Sequence, residues 1–225
     1  MTPFQTLIIA GGDMSPPDIP SNIATHQTLL CLDGAATVVQ RYKITPDIIL
    51  GDLDTLVIQY ANIRQIQAAF PKSTIVHTPD QNKTDFEKAL DYVVQHNLGT
   101  VLCLGLLGKA MDHTLSNLSL FARYSTIVPL TLLHSFENQK QWGFMLPPKC
   151  CIHTQINQTT SLIPISEAIV SSKGLKWELE HAKLNPLSFN SVRNKTQSEQ
   201  LFIETQGNCL YLQCSEQMPR LEILD

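Results

Sequence analysis

Apolar residues in the first half of the chain form five short continuous runs separated by segments with helical spacing. Runs of this length are typical of strands that are buried on both faces of a sheet. The predicted strands are Leu7–Ala10, Thr28–Leu32, Asp47–Leu50, Thr74–His77 and Val101–Leu104. Because helical segments separate them, we expect a mostly parallel sheet with right-handed crossovers.

The clearest helical pattern begins at Thr84. An apolar stripe follows it at helical spacing, formed by Phe86, Ala89, Leu90, Val93 and Val94. Thr84 and Glu87 have the spacing of a capping box, which marks a helix start. A second helix is predicted to begin near Asp112 or Thr114 and to run to about Tyr124.

The pattern changes after about residue 135, where no long helical stripe remains and short β-rich runs alternate with turn signals. These runs are Trp142–Leu146, Cys150–Ile156, Leu162–Ile165, Ala168–Ser171, Leu201–Glu204 and Leu210–Gln213. We therefore predict an α/β domain over residues 1–135, with a parallel sheet and flanking helices, and a small all-β sandwich over residues 136–225.

Composition narrows the functional classes. The 225 residues are 43% hydrophobic and 16% charged, which is ordinary for a globular protein. A net charge of −4 without clustered Lys and Arg argues against nucleic-acid binding. The apolar run near the N-terminus is too short for a signal peptide or a membrane span. Six cysteines without a CxxC pair, mostly among apolar neighbours, suggest reduced core thiols, so we expect a cytoplasmic protein.

Aspartates follow the predicted strands, at the sheet edge where parallel α/β proteins bind ligands. Asp33 follows the second strand, Asp52 and Asp54 follow the third, and Asp85 closes the loop after the fourth. Carboxylates gathered at one edge repel each other unless cations intervene, and Mg²⁺ prefers such hard oxygen ligands. The sequence thus predicts a magnesium site that also binds phosphate.

Each motif also has a purely structural interpretation. Asp52 and Asp54 lie two residues apart, so an extended backbone would place both side chains on one side, but Asp is also common in turns. Thr84 can simply cap its helix.

Two lysines lie in loops that could bind phosphate. Lys83 precedes a helix N-terminus, and such an end favours phosphate. Lys109 lies in a glycine-containing loop and offers a second positive charge. Neither loop has the form of a standard phosphate-binding motif.

Three loops, taken together and in order, resemble the thiamin pyrophosphokinase family. The first runs from Pro46 to Asp54, the second from Asp80 to Leu90, and the third from Gly105 to Asn117. The family patterns there are PDxxxGDxDS, DQxxTDxxKAL and GxxGGRxDHTLxN. A GLxWxL segment, here Gly174–Leu179, extends the resemblance into the second domain.

The resemblance implies an enzyme that transfers the diphosphate group of ATP to thiamin and releases AMP. It implies a homodimer whose thiamin site lies between the catalytic domain of one subunit and the β domain of the other. Residues 1–135 would then bind ATP and Mg²⁺, and residues 136–225 would bind thiamin. It assigns Mg²⁺ and catalysis to Asp52, Asp54 and Asp85. It assigns the ATP site to Gln81, Lys83, Thr84, Lys109 and Asp112, and the thiamin site to Asp33, Trp177, Ser191 and Asn194.

Trp177 has two interpretations, because an aromatic face attracts the thiazolium cation of thiamin, yet Trp in a β domain is commonly a core residue. Three positions depart from the family patterns. Ala110 replaces the family Arg, Arg193 replaces the family Ser, and Thr55 replaces a Ser but keeps a hydroxyl. The departures leave two alternatives open: a catalytically weak or silent homologue that binds thiamin or nucleotide, and a pyrophosphokinase for another alcohol such as a pterin.

Overall fold

A computed structural model describes residues 4–14, 28–136 and 139–224. The chain forms two compact units that separate between Leu130 and Thr131. Residues before this point form an α/β domain, and those after it form a β domain. The predicted fold class, an α/β domain followed by an all-β domain, is confirmed.

The α/β domain is built on a parallel sheet. Its strands are β1 (Thr6–Ile9), β2 (Thr28–Leu32), β3 (Ile48–Gly51), β4 (Thr74–His77) and β5 (Val101–Leu104). Within this domain they lie in the order β5-β1-β2-β3-β4, and each neighbouring pair is parallel. The segments that follow β2 and β3 therefore leave the sheet at the same edge, side by side.

Five helices lie between these strands or after them. They are α1 (Ala35–Arg41), α2 (Asp54–Tyr60), α3 (Ile63–Ala69), α4 (Asp85–Gln95) and α5 (Met111–Tyr124). The predicted helix after Thr84 is α4, whose apolar stripe is buried except at Val94. The sequence pattern did not resolve α1, α2 and α3, because seven residues give too little of a 3.6-residue repeat to recognise.

Strand β4 differs from the other four. Both of its terminal residues, Thr74 and His77, are exposed, whereas β1, β3 and β5 are buried throughout. β4 lies at the end of the domain's strand order and pairs with β3 on one side. The prediction that all five strands are buried on both faces is therefore wrong for β4.

The β domain is antiparallel and contains two unusually long strands. Its elements are β6 (Leu130–Phe136), β7 (Gln139–Met145), β8 (Lys149–His153), β9 (Thr159–Lys173), β10 (Ala182–Leu184), β11 (Ser191–Lys195), β12 (Gln200–Cys214) and β13 (Arg220–Ile223). β12 pairs along its length with β9, through its first half with β8, and through its second half with β7. β9 also pairs with β10 and β11.

Two predicted strand breaks in this domain are wrong. The sequence suggested separate strands on either side of Gly207 and of the Ser166–Glu167 segment, but β9 and β12 continue through both. The register between them shifts between Gly207 and Cys209. Gly207 has φ +103°, and a Cβ there would lie 2.4 Å from the Glu167 carbonyl oxygen. The glycine thus allows a bulge inside a long strand pair, where the sequence suggested a turn.

The β domain has its own hydrophobic core. Its largest fully buried side chain is Tyr211, which stacks on Phe144 with 5.1 Å between ring centroids. Aliphatic residues and two cysteines, Cys150 and Cys209, surround this pair. Among the helices of the described ranges, none is long and apolar enough to cross a membrane.

Candidate active site

Three carboxylates from separate segments converge at the edge of the parallel sheet. Asp33 follows β2, Asp52 follows β3, and Asp85 is the first residue of α4. One carboxylate oxygen of each lies within 4.8 Å of those of the other two. This group, called the acidic cluster below, has the spacing and the oxygen chemistry that suit a divalent cation.

Asp33 is the most buried member of the acidic cluster and also supports the local fold. Its carboxylate accepts hydrogen bonds from the backbone N–H groups of Thr55 (3.0 Å) and Leu56 (3.2 Å). These are N–H groups in the first turn of α2, which lack partners within the helix. Asp33 thus fixes the start of α2 while one of its oxygens faces Asp52 and Asp85.

Gly51 makes the close approach of these carboxylates possible. Its φ of +153° suits glycine. A Cβ at this position would lie 2.9 Å from an Asp85 carboxylate oxygen and 3.2 Å from the Asp33 Cβ. The available sequence signal for this role is the place of Gly51 directly before Asp52.

Asp54 lies outside the acidic cluster in the described structure. The expectation of extended backbone from Asp52 to Asp54 is wrong, because Leu53 between them is left-handed, with φ 64° and ψ 16°. Leu53 is fully buried, and the turn that it makes starts α2 at Asp54. The Asp54 N–H donates to an Asp52 carboxylate oxygen at 3.3 Å. The assignment of Asp54 to the metal stays a prediction.

The loop before α4 reaches the acidic cluster through Gln81. Its side-chain amide donates to an Asp52 carboxylate oxygen at 3.3 Å. Thr84 caps α4 by accepting the Glu87 N–H at 3.2 Å, while the Glu87 carboxylate pairs with Arg123 of α5. Lys83, predicted to bind ATP, forms an ion pair with Asp91 at 2.6 Å.

Lys88 is the main site residue to which the sequence pattern assigned no role. Its side chain is only 6% exposed, and its ammonium donates to the Thr78 carbonyl at 2.8 Å and to an Asp85 carboxylate oxygen at 3.1 Å. The available sequence signal was the lysine of the pattern DQxxTDxxKAL, which falls at Lys88. Lysines are rarely buried without a partner, and here Asp85 is that partner.

Burial and three neighbouring charged groups shift the pKa of the Asp85 carboxyl. Burial raises the pKa of the Asp85 carboxyl above its usual value; the Lys88 ammonium opposes this, and the charges of Asp52 and Asp33 add to it. A carboxylate whose charged form is disfavoured in this way is stabilised by a nearby cation. A divalent cation bound at the acidic cluster would therefore stabilise the charged form of Asp85.

The loop after β5 is tied to the loop after β1. Gly12 and Asp13 donate their N–H groups to the carbonyls of Gly105 and Leu107, and the Lys109 ammonium donates to the Gly11 carbonyl. Asp112 accepts the N–H of its own neighbour, His113, at 2.8 Å, and it is exposed. Ala110, at the family Arg position, is exposed as the residue before α5.

In the β domain, taken by itself, Trp177 is 55% exposed, so it is not a core residue. The Lys176 ammonium lies 4.7 Å from the centre of its ring. Asn194 is buried; its amide oxygen accepts the N–H groups of Trp177 and Lys195, and its amide nitrogen donates to the Trp177 carbonyl and the Ser191 hydroxyl. These bonds use every donor and acceptor position of the amide. Asn194 therefore fixes the backbone of Trp177.

Comparison with known proteins points to one family. Residues 20–132 match the model of the thiamin pyrophosphokinase catalytic domain, and residues 149–210 match the model of the thiamin pyrophosphokinase vitamin B1 binding domain. The chain is 29% identical over 195 residues to thiamin pyrophosphokinase 1 of Caenorhabditis elegans, covering 80% of this chain and 75% of the relative.

Solved structures agree on the fold. The thiamin pyrophosphokinase of Candida albicans superposes with a TM-score of 0.79 at 17% identity, over 94% of this chain and 88% of that one. The thiamine pyrophosphokinase of Bacillus subtilis superposes with a TM-score of 0.75 at 21% identity, over 95% of this chain and 100% of that one.

Proposed function

The chain belongs to the thiamin pyrophosphokinase family, and from this premise we propose that its acidic cluster holds the magnesium of Mg-ATP during transfer of diphosphate to thiamin. The enzyme transfers the diphosphate group of ATP to the hydroxyl of thiamin, with formation of thiamin diphosphate and AMP. The observation that carries the proposal is the convergence of Asp33, Asp52 and Asp85 within 4.8 Å.

The reaction needs positioning and charge neutralisation more than covalent chemistry. The hydroxyl oxygen of thiamin forms a bond to the β-phosphorus of ATP, and the bond from that phosphorus to the oxygen of the α-phosphate breaks, so AMP leaves. Magnesium bound here would neutralise charge on the phosphate oxygens. The cluster carboxylates would hold it, with Asp33 kept in place by α2 and Asp85 by Lys88. In this proposal the metal role of Asp33 replaces its assignment to the thiamin site.

A base must accept the hydroxyl proton of thiamin, and an aspartate that does not hold the metal suits this role. Asp54 is our candidate, in place of its predicted role as a metal ligand, because it is exposed and its N–H contacts Asp52, yet it lies outside the acidic cluster. For binding of ATP we propose Gln81, Thr84, Lys109 and Asp112. Gln81 has the strongest support among these four, because its amide already contacts Asp52.

Trp177 is our candidate for contact with thiamin. Its half-exposed ring has the Lys176 ammonium 4.7 Å from its centre, and a ring that attracts this cation supports the proposal that it also attracts the thiazolium. Asn194 and Ser191, assigned to thiamin from the resemblance, have a different role in this proposal. Asn194 holds the Trp177 backbone and Ser191 accepts from Asn194, so both position the aromatic ring.

Trp177→Ala is expected to raise the KM for thiamin about tenfold and to leave the KM for Mg-ATP unchanged, because it removes only the aromatic face. Steady-state kinetics with each substrate varied in turn measure both constants. Trp177→Phe, which keeps a ring, should recover part of the loss. An unchanged KM for thiamin in the alanine variant would remove Trp177 from the thiamin site.

We further propose a homodimer in which each thiamin site uses both subunits, as the resemblance implies. Co-expressed subunits carrying Asp52→Asn and Trp177→Ala would then form mixed dimers with one fully intact site. Assayed at low thiamin, the mixture is expected to regain about a quarter of wild-type activity, since half the dimers are mixed and half of their sites are intact. No recovery would place the whole site within one subunit.

A reducing compartment such as the cytoplasm suits the thiols of this chain. Six cysteines are free, and five of them, Cys31, Cys103, Cys150, Cys151 and Cys209, are buried. Burial raises the pKa of Cys150 and of Cys209 to about 12, which keeps these thiols protonated and unreactive. We propose on this basis that the cysteines serve packing and that the enzyme works in the cytoplasm.

The direct test of the proposed function is to mix the protein with Mg-ATP and thiamin and to identify the products. Diphosphate transfer gives AMP and thiamin diphosphate in equal amounts, and omission of Mg²⁺ should stop both. Formation of ADP instead would indicate transfer of a single phosphoryl group. Absence of any thiamin-dependent nucleotide product would contradict the proposal.

A further inference from the structure

The carboxylate of Asp91 joins three separate parts of the α/β domain. Lys83, in the loop before α4, donates its ammonium to one Asp91 oxygen at 2.6 Å. Tyr124, the last residue of α5, donates its hydroxyl to the other oxygen at 2.5 Å. Asp91 itself lies in the middle of α4. One side chain therefore links the loop, α4 and α5 with both of its oxygens.

A second contact ties the same helices together. Arg123, beside Tyr124, forms an ion pair with Glu87 of α4. Its guanidinium also lies 5.0 Å from the centre of the Tyr124 ring. Tyr124 is buried, so its hydroxyl is held in place by the packing of α5. Asp91 is thus bonded to a fixed donor on one side and to a lysine of the loop on the other.

The Asp91 carboxylate is charged at neutral pH. Burial alone would raise the pKa of Asp91, but the hydrogen bonds from Lys83 and Tyr124 outweigh it and lower the pKa overall. The charged carboxylate therefore faces the Lys83 ammonium at 2.6 Å, in a pair whose side chains are both partly exposed.

The loop that Lys83 anchors leads to the acidic cluster. Two residues before Lys83, Gln81 donates to Asp52 at 3.3 Å. Two residues after it, Asp85 begins α4 and enters the cluster. Since Lys83 lies midway between these contacts, its attachment to Asp91 restricts the placement of both.

We infer that Asp91 is a positioning residue for the Mg-ATP site, and that it acts through Lys83, which anchors the loop of residues 80–84 and does not contact phosphate. The inference rests on the proposed function, since it refines the part of the site that holds Mg-ATP. It replaces the assignment of Lys83 as an ATP ligand with a role in the geometry of its own loop.

The two roles for Lys83 predict opposite effects of Asp91→Asn. If Lys83 anchors the loop, Lys83→Met and Asp91→Asn both weaken binding of Mg-ATP, and the double variant is no worse than either single variant, because all three remove the same contact. If Lys83 binds phosphate, Asp91→Asn frees its ammonium and tightens binding, while Lys83→Met weakens it.

The experiment measures the Kd of a non-hydrolysable Mg-ATP analogue by calorimetry, and kcat at saturating Mg-ATP. We expect a Kd about three- to fivefold higher in both single variants and in the double variant, with kcat unchanged. Lys83→Arg, which keeps the ion pair, should bind as the wild type does. Glu216→Gln, which breaks an exposed ion pair with Lys140 in the β domain, is the matched control and should change nothing.

Hydrogen exchange provides a readout that does not depend on nucleotide. In the nucleotide-free protein, the backbone amides of residues 80–84 should exchange faster in Asp91→Asn and Lys83→Met than in the wild type. Tighter or unchanged binding in Asp91→Asn, or unaltered exchange in both variants, would overturn the inference. A wild-type protein that bound the analogue but formed no AMP would instead contradict the proposed function and leave these measurements interpretable.

Discussion

Asp52→Asn and Asp85→Asn are each expected to lower kcat by about a hundredfold to a thousandfold, with the fold intact. Each change removes one negative charge from the acidic cluster, where the carboxylates lie within 4.8 Å of one another. Asparagine keeps the size of the side chain but is a far weaker ligand for Mg²⁺. AMP formation measures the loss, and the midpoint of Mg²⁺ activation should shift to higher concentration in both variants.

The matched control for this pair is Glu199→Gln, which removes one charge from an exposed turn of the β domain and should leave turnover unchanged. Circular dichroism would show that all three variants are folded. Turnover close to that of the wild type in both aspartate variants would contradict the metal site.

Asp54→Asn tests a separate role. If Asp54 is the base, this variant should have a lower kcat and an unchanged midpoint of Mg²⁺ activation.

Gly51→Ala is expected to reduce Mg²⁺ affinity and turnover by about a hundredfold, although the change adds only a methyl group. The new Cβ would lie 2.9 Å from the Asp85 carboxylate oxygen, and φ at this position is +153°. The methyl group must push Asp85 away from Asp33, so the three carboxylates can no longer approach one cation. Backbone strain should also lower the free energy of unfolding by about 1–3 kcal/mol.

Gly99→Ala separates the loss of the site from the loss of stability. Gly99 has φ +72°, and a Cβ there would collide with the Gln5 side chain, so this variant is also strained. Gly99 lies in the segment before β5, at the opposite end of that strand from the Gly105 loop. Gly99→Ala should therefore unfold more easily but bind Mg²⁺ normally. Equal Mg²⁺ affinity in Gly51→Ala and the wild type would show that Gly51 has no part in forming the cluster.

The sequence predicted the parallel strands well because their signal is local. Three or four consecutive apolar residues identify β1, β2, β3 and β5 wherever they lie in the sheet. The β domain was harder, because the polar pair Ser166–Glu167 in β9 and the glycine Gly207 in β12 interrupt the apolar runs and suggest breaks in isolation. Pairing between distant segments decides whether such residues end a strand or form a bulge, and single-sequence patterns do not contain that pairing.

The site shows the same division between local and distant information. That Asp33, Asp52 and Asp85 lie together follows from their places after neighbouring strands, and the sequence indicated this. The left-handed turn at Leu53 was not predictable from propensity, because a leucine rarely adopts φ 64°. Lys88 was missed for a related reason: its partners, Thr78 and Asp85, are brought to it only by the fold.

The most direct test of the metal site is a crystal structure of the protein with Mn²⁺ and a non-hydrolysable ATP analogue, with anomalous diffraction used to locate the manganese. We expect an anomalous peak between Asp33, Asp52 and Asp85, about 2.1 Å from carboxylate oxygens and in contact with phosphate oxygens of the analogue. A bound analogue whose metal lay away from all three carboxylates would contradict the proposed metal site.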